Sequence, residues 1–414
     1  MAYDSSQLHR LRIRAESTPG VDLTSAGTSF TSFLDLPIQR GSFAGGRSET
    51  EHDPNVQQQF ADEMEFYTRG IKRCAPAWSM MLHSHGLVLD GQIAPPDETD
   101  WGFALLLKTM MGGILTESEP SAETEVEAAT TATVVNVTTG HGTRFVKGGA
   151  IACVLSGRIE VREVLSVSTD AVSVKVAFSG TPATGSTVYC PVTFHLTDDP
   201  SSPLQIAYEG KETSHRYGYM GCNGGFTMAF ENDTLATLSP TMQGMSWLKY
   251  GTATLAEATI ANYQPIAVKD SELIVGTVGA TTRNLIHTSA RSMALNLVYQ
   301  ILATSSGVEG AIRPRRMHQP PVISGSFTTY RDGSGFDWES AQEDRTELAI
   351  FQQLGSTVGG TALLAAPTVQ VAVPTDADIS GTDGMTVNYK GRNDQAGAAA
   401  ATDAERSAFR IHLV

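Results

Sequence analysis

The chain has 414 residues, 41% hydrophobic and 18% charged, enough for two or three ordinary domains and outside the range of disordered chains. No apolar run approaches the roughly 18 residues a membrane helix needs, and MAYDSSQLHRLRIR lacks the apolar core and cleavage site of a secretory signal, so folding in the cytoplasm of the producing cell is expected. The net charge of −15 is spread along the chain, with 9 basic against 16 acidic residues in 1–120, 5 against 8 in 121–200 and 15 against 20 in 201–414; this excludes the cationic stripe by which nucleic-acid-binding modules hold phosphate.

The opening Leu11-Arg12-Ile13-Arg14-Ala15-Glu16 alternates like a half-buried strand and is stopped by Thr18-Pro19-Gly20. A polar stretch follows to Arg47, and two further elements are expected at 62–74 and 78–89. The clearest helix comes next. Pro95-Pro96 precede Asp97 as N-cap, Trp101, Ala104, Leu105, Lys108 and Met111 recur at helical spacing, and Gly112-Gly113 close it. Residues 117–133 read as an acidic linker. Beyond it five short runs, 133–137, 150–155, 158–165, 172–178 and 187–192, are separated by Gly- and Ser-rich turns, the pattern of a small inserted barrel or sandwich.

The remainder is again β-rich. Phe226, Met228 and Phe230 alternate, as do Met293, Leu295, Leu297, Tyr299 and Ile301, and 322–330 is another strand. Residues 341–354 are expected as a second helix, with Leu348, Phe351 and Gln352 near one face. Val369 to Val373 and Met385 to Tyr389 alternate, and 408–414 is the last strand. The expected fold is mainly β: a β-sandwich or barrel domain with a flanking α-helix, built from 1–120 and 196–414, with a small β-barrel-like domain inserted at 121–195.

Little chemistry is legible. His83 and His85 would share a strand face and could both ligate a metal, but no neighbouring carboxylate or thiol supplies a third ligand, so edge-strand histidines are the simpler reading. Cys74, Cys153, Cys190 and Cys222 form no CxxC pair and are expected as buried thiols. Gly221-Cys222-Asn223-Gly224-Gly225 lacks the Gly-Lys-Ser/Thr ending of a phosphate loop and reads as a turn. Arg313-Pro314-Arg315-Arg316 is the sole basic cluster, either a solvated loop or a partner for an acidic surface. No recognisable nucleophile-and-base spacing appears. No catalytic, cofactor-binding or metal residue is therefore assigned, no cofactor is expected, and the chain reads as a structural subunit and not an enzyme.

Four pieces, in order, resemble the tail tube proteins of tailed bacteriophages. LRIRAESTPGVD resembles their first strand with its Glu-x-x-x-Gly turn, and DWGFALLLKTMMGG the helix flanking their sheet. YMGCNGGFTMAFENDTLATLSPTMQGM resembles a strand pair with a Gly-Cys turn; ISGSFTTYRDG, ALLAAPTVQVAV and FRIHLV resemble the closing strands. The likeness covers most of 8–116 and 200–414. It implies a virion subunit that assembles with itself, six to a ring, into a stacked tube, with other tail proteins as partners, no membrane, and DNA passing unbound through the lumen.

Two features depart from that pattern. The chain is longer than a minimal tube subunit, and 121–195 has no counterpart, so that segment is expected to be exterior decoration, removable without loss of the tube. Long polar segments at 20–60 and 374–407 are expected to join rings, and the acidic balance to give a phosphate-repelling lumen wall. Four other readings stay open: three duplicated subunits per ring; another virion component such as a tail terminator, baseplate ring or capsid decoration protein; a carbohydrate-binding module at 121–195, which has only Phe145, Phe178, Tyr189 and Phe194 for the aromatic stacking that sugars need; and an enzyme with a metal at His83 and His85.

Overall fold

A computed structural model of the chain describes residues 9–17, 20, 33–39, 41–52, 68–85, 101–115, 124–197, 203–210, 215–232, 234–250, 263–269, 271–295, 299–303, 312–316, 323–331, 336–392 and 402–414. The fold is mainly β. His9–Ala15 buries Leu11 and Ile13 and pairs antiparallel with Leu204–Gly210 and Leu34–Leu36. On its other face Arg10 and Arg12 share Asp35, at 2.6 and 3.1 Å.

The spine of the large sheet is the 17-residue strand His215–Glu231. Its first half pairs with Leu204–Gly210 and Ser246–Tyr250, its second with Thr237–Gln243 and Thr288–Leu295. The switch of partners falls at the glycine cluster, which is therefore not the turn expected from composition. Leu204 faces Cys222 but Ile206 faces Tyr219, so the long strand carries one extra residue, a bulge. Gly221 supplies it at φ +66°, and its N–H donates to Glu16 Oε1 at 2.9 Å. A Cβ there would stand 2.5 Å from Met245 Cγ. Both the backbone and the space demand glycine. Gly221→Ala is expected to lose about 1–3 kcal/mol, read as a lower urea midpoint with an unchanged far-UV spectrum.

From Thr288–Leu295 the sheet continues through Ile323–Tyr330, Thr382–Gly391, Ala362–Val371, Arg410–Leu413 and Val192–Leu196 to Gly112–Leu115. It curls into half a barrel. Leu348–Leu354 and Glu272–Thr277 extend it from Ala362–Val371. The Gly102–Met111 helix packs against Gly112–Leu115 and Val192–Leu196 at one end of this run, and against His9–Ala15, Leu34–Leu36 and the long strand His215–Glu231. Every helical residue except Lys108 is buried, so the helix plugs the curl instead of covering it with one face. Its N-cap is Trp101, without a side-chain cap; Asp97, expected in that role, lies outside the described residues. Gly112 does close it, at φ +102° with its N–H on the Lys108 carbonyl.

Several other expectations change. The helix expected at 341–354 is a short one, Trp338–Glu343, capped by Asp337, followed by the strand Leu348–Leu354. Arg345, at φ +52°, ends the helix, and all seven strand residues are buried, so they show no period of two. The polar stretch 374–407 contains the hairpin Thr375–Ile379 and Thr382–Gly391 and the capped helix Asp403–Arg406; 393–401 lie outside the described residues. Within 20–60 are the strands Leu34–Leu36 and Ser48–His52, while 21–32 and 53–60 lie outside them. The elements expected at 62–74 and 78–89 appear as Thr68–Arg73, Met80–Met81 and His83–His85, with 62–67 and 86–89 outside.

A second sheet of six strands runs Thr124–Glu125, Thr187–Tyr189, Ala150–Leu155, Arg158–Ser168, Ala171–Val174, Val134–Asn136. It has its own core, including Val135, Phe145, Val164, Val172 and Phe178. Two boundaries move. Residues 124–133, expected as linker, contribute its first strand and the buried Val126, which bridges Val137. The strand Val192–Leu196, all but its last residue expected within 121–195, belongs to the large sheet, between Arg410–Leu413 and Gly112–Leu115. The run VTFHL suits either sheet, and only its partners decide.

Candidate functional surface

The two sheets share an apolar seam. Ala150, Ala152, Ile159 and Val161 pack against Ile274, Phe351, Leu363 and Ala365. Two charged clusters cross it. Arg162 meets Glu160 at 2.7 Å and Glu272 at 3.6 Å, and Glu272 meets Arg283 at 2.9 Å. Gln353 accepts from the Val161 N–H at 2.9 Å and donates to the Ile159 carbonyl at 2.7 Å. In the second cluster Glu163 is bonded to Arg410 and lies 3.2 Å from Lys175, while Arg410 also donates to the carbonyls of Ala404 and Glu405. Sequence reading missed both clusters. The available signal was the density of charge in Arg158-Ile159-Glu160-Val161-Arg162-Glu163, where alternation gives Arg158, Glu160 and Arg162 one face and puts Glu163 on the face of Ile159 and Val161.

Beside the second cluster sits His412, fully buried, with Nδ1 2.8 Å from Thr193 Oγ1. Burial, and then Arg410, Lys175 and His195, hold its pKa well below the ordinary imidazole value, and burial lowers His195 too. Each therefore binds a proton more readily when unfolded than when folded. Their contribution is therefore present above the unfolded value of about 6.5 and lost as pH falls below it. Folding stability, read from urea unfolding, is expected to decline between pH 7 and pH 5, by up to about 1.4 kcal/mol per pH unit for each histidine, and His412→Asn to flatten that decline.

The other distinctive surface is the outward side of the curled sheet. Register places Asn388, Ser326, Ser292, Ala229 and Thr237 in one row and Lys390, Ser324, Ala294, Thr227 and Ser239 in the next. Hydroxyls join across strands: Ser292 to Ser326 at 2.8 Å, Thr328 to Thr386 at 3.2 Å and Ser79 to Ser239 at 3.0 Å. The same strands turn Met228, Met293, Phe327, Val387 and Tyr389 into the core. A hollow of ≈620 Å³ opens on this face, lined by Thr227, Ser292, Ser326, Gln370, Asn388 and Lys390 among others. Among the described residues these two rows offer hydroxyls and amides with one cation, Lys390, while the exposed Glu231 stands in the row beyond, a surface suited to non-adhesive contact.

The residues singled out by sequence fall elsewhere. His83 is buried, edge-on to the Phe103 ring at 6.2 Å, in a strand whose backbone pairs with Tyr263–Pro265; the side chain of His85 lies outside the described residues. Among the described residues no three His, Cys, Asp or Glu side chains gather as a metal site. The Ile312–Arg316 strand pairs with Tyr299–Ala303, and its arginine side chains lie outside the described residues. Cys74, Cys153 and Cys222 are buried thiols and Cys190 is half-buried; burial pushes Cys153 up to about 12. No described helix is long and apolar enough to cross a membrane. No protein-family model and no curated protein matches the chain.

Proposed function

We propose that the chain is a structural virion protein, a tail tube subunit of the kind the sequence resembles, whose copies form rings, six to a ring, that stack into a conduit for DNA. The observation that carries this reading is the half-barrel with its hydroxyl-lined outward face. The sheet's open edges can pair with the sheets of neighbouring copies, which, set around a ring with each plugged core outward, close into a larger barrel without edges. In such a ring the Ser/Thr/Asn face is the lumen wall. The two rows hold one charged residue, Lys390, so each subunit adds little phosphate attraction. This reading replaces the acidic wall expected from net charge with a hydroxyl-lined one.

Negative-stain microscopy of the purified full chain tests it. Hollow tubes of uniform width are the expected result. Isolated rings would favour a terminator or baseplate component, and monomers at every concentration would overturn the assembly reading.

A further inference from the structure

The long strand His215–Glu231 joins two ends of opposite character. At its start, Tyr208, Tyr217, Trp247 and Lys249 share one sheet face, since Tyr217 lies opposite both Tyr208 and Lys249. Phe43 stacks on Tyr208 with ring centroids 4.3 Å apart. The Arg47 guanidinium lies 4.0 Å from the Tyr217 centroid, and the Lys72 ammonium 4.7 Å from that of Trp247. Arg47, Arg73 and Lys249 are exposed, and Glu49, cross-strand from Lys72, is a counter-charge beside them. In a chain of net charge −15, this is a basic surface with half-buried aromatic rings beneath it.

At the far end, register carries Glu231 across Ala290, Thr328 and Thr386 to Thr375. Thr375–Ile379 runs on in the direction of the long strand, so the hairpin overhangs that row by about 13 Å at ~3.3 Å per residue. Among the described residues this strand pairs on one side only, with Thr382–Gly391. Asp378 stands directly opposite Asp383, a like-charge pairing that weakens a hairpin. Arg331 reaches Asp376, Asp383 at 3.1 Å and Glu339 at 3.4 Å, yet the acids outnumber it. Asp376 is 89% exposed, and Val373, just before the hairpin's first strand, is 65% exposed.

We propose that the hairpin of residues 372–384 docks head to tail on the Arg47–Lys72–Trp247 surface of a second copy. The proposal rests on the tube reading and names the contact between successive subunits. Charge complementarity selects the partner: the hairpin's carboxylates meet the exposed cations, and Val373 meets the aromatic rings. A contact between opposite ends of the sheet is heterologous, and where its rotation does not close on itself, repeating it gives an open stack, as a tube requires.

The test uses the full chain and two charge-reversed variants, one carrying Asp376→Lys, Asp378→Lys and Asp383→Lys, the other Arg47→Glu, Lys72→Glu and Lys249→Glu. Each variant alone is expected to lose about tenfold of the sedimenting material, in line with like-charge juxtaposition, with circular dichroism unchanged. Mixing the two restores assembly, because each reversed hairpin then meets a reversed surface. Wild-type assembly weakens as salt rises. Tubes from the hairpin variant, or a folded mixture that stays dispersed, overturn the docking and leave the tube reading standing. Salt-sensitive oligomers that never become tubes, with the same variant pattern, uphold the docking and sink the tube reading. A wild type with no self-association in sedimentation velocity overturns both.

Discussion

Arg410→Ala is expected to cost about 3–5 kcal/mol of folding stability, the range for removing one partner of a buried ion pair. Arg410 and Glu163 are each 0% exposed. Truncation leaves the Glu163 carboxylate in the seam with Lys175, at 3.2 Å, as its cation among the described residues, and strips the donors from the Ala404 and Glu405 carbonyls. The pair itself is worth far less than the cost of breaking it, because two charges were desolvated to make it. Glu163→Leu combined with Arg410→Met should therefore recover most of the loss. Urea unfolding of the single and double variants checks both statements. A single-variant loss under about 1 kcal/mol would mean that the carboxylate finds water or a proton, contrary to the sealed seam.

How much of this was legible follows from what each residue pattern encodes. Leu11 and Ile13, or Phe226, Met228 and Phe230, alternate because one side of their strand faces solvent or small polar neighbours, so sequence located those strands. Leu348–Leu354 has sheet partners on both sides and is buried throughout, and there period two vanishes. Its adjacency to a true helical turn at Trp338–Glu343 made one longer helix look plausible. Gly221 advertised a backbone need but not which one, since turn and bulge draw on the same residue. The seam was the least legible. Glu160, Arg162 and Glu163 look like surface residues until Gln353, Glu272 and Arg410, far away in sequence, arrive to satisfy them. The hydroxyl face was visible only as unremarkable polar positions, because its continuity comes from register between strands distant in the chain.

Where the six-stranded unit is cut should decide whether the rest of the chain folds. Leu115 is the cross-strand partner of Thr193, so the chain leaves and re-enters the large sheet on adjacent strands, and a short Gly/Ser bridge can close them as a hairpin. Deleting 121–195 removes most of Val192–Leu196, which lies between Arg410–Leu413 and Gly112–Leu115. Both neighbours then lose their ladder, and Phe194, fully buried, leaves a void of the kind that costs about 3–5 kcal/mol for a large aromatic side chain. That deletion is expected to give insoluble protein. Deleting 118–190 keeps the strand, and the chain is expected to fold, with a lower urea midpoint and increased binding of a hydrophobic dye. Ile274, Phe351, Leu363 and Ala365 lose their apolar cover, and Arg410 loses Glu163. Phe351→Thr and Arg410→Met in the shorter deletion should reduce the dye signal and raise the midpoint. Equal folding of the two deletions would mean that Val192–Leu196 contributes nothing to the curl, against its place in the centre of three strands. Assembly by the shorter deletion would put the six-stranded unit outside the contacts between copies, as the decoration reading requires; folding without assembly would put the unit, or the seam it covers, within them.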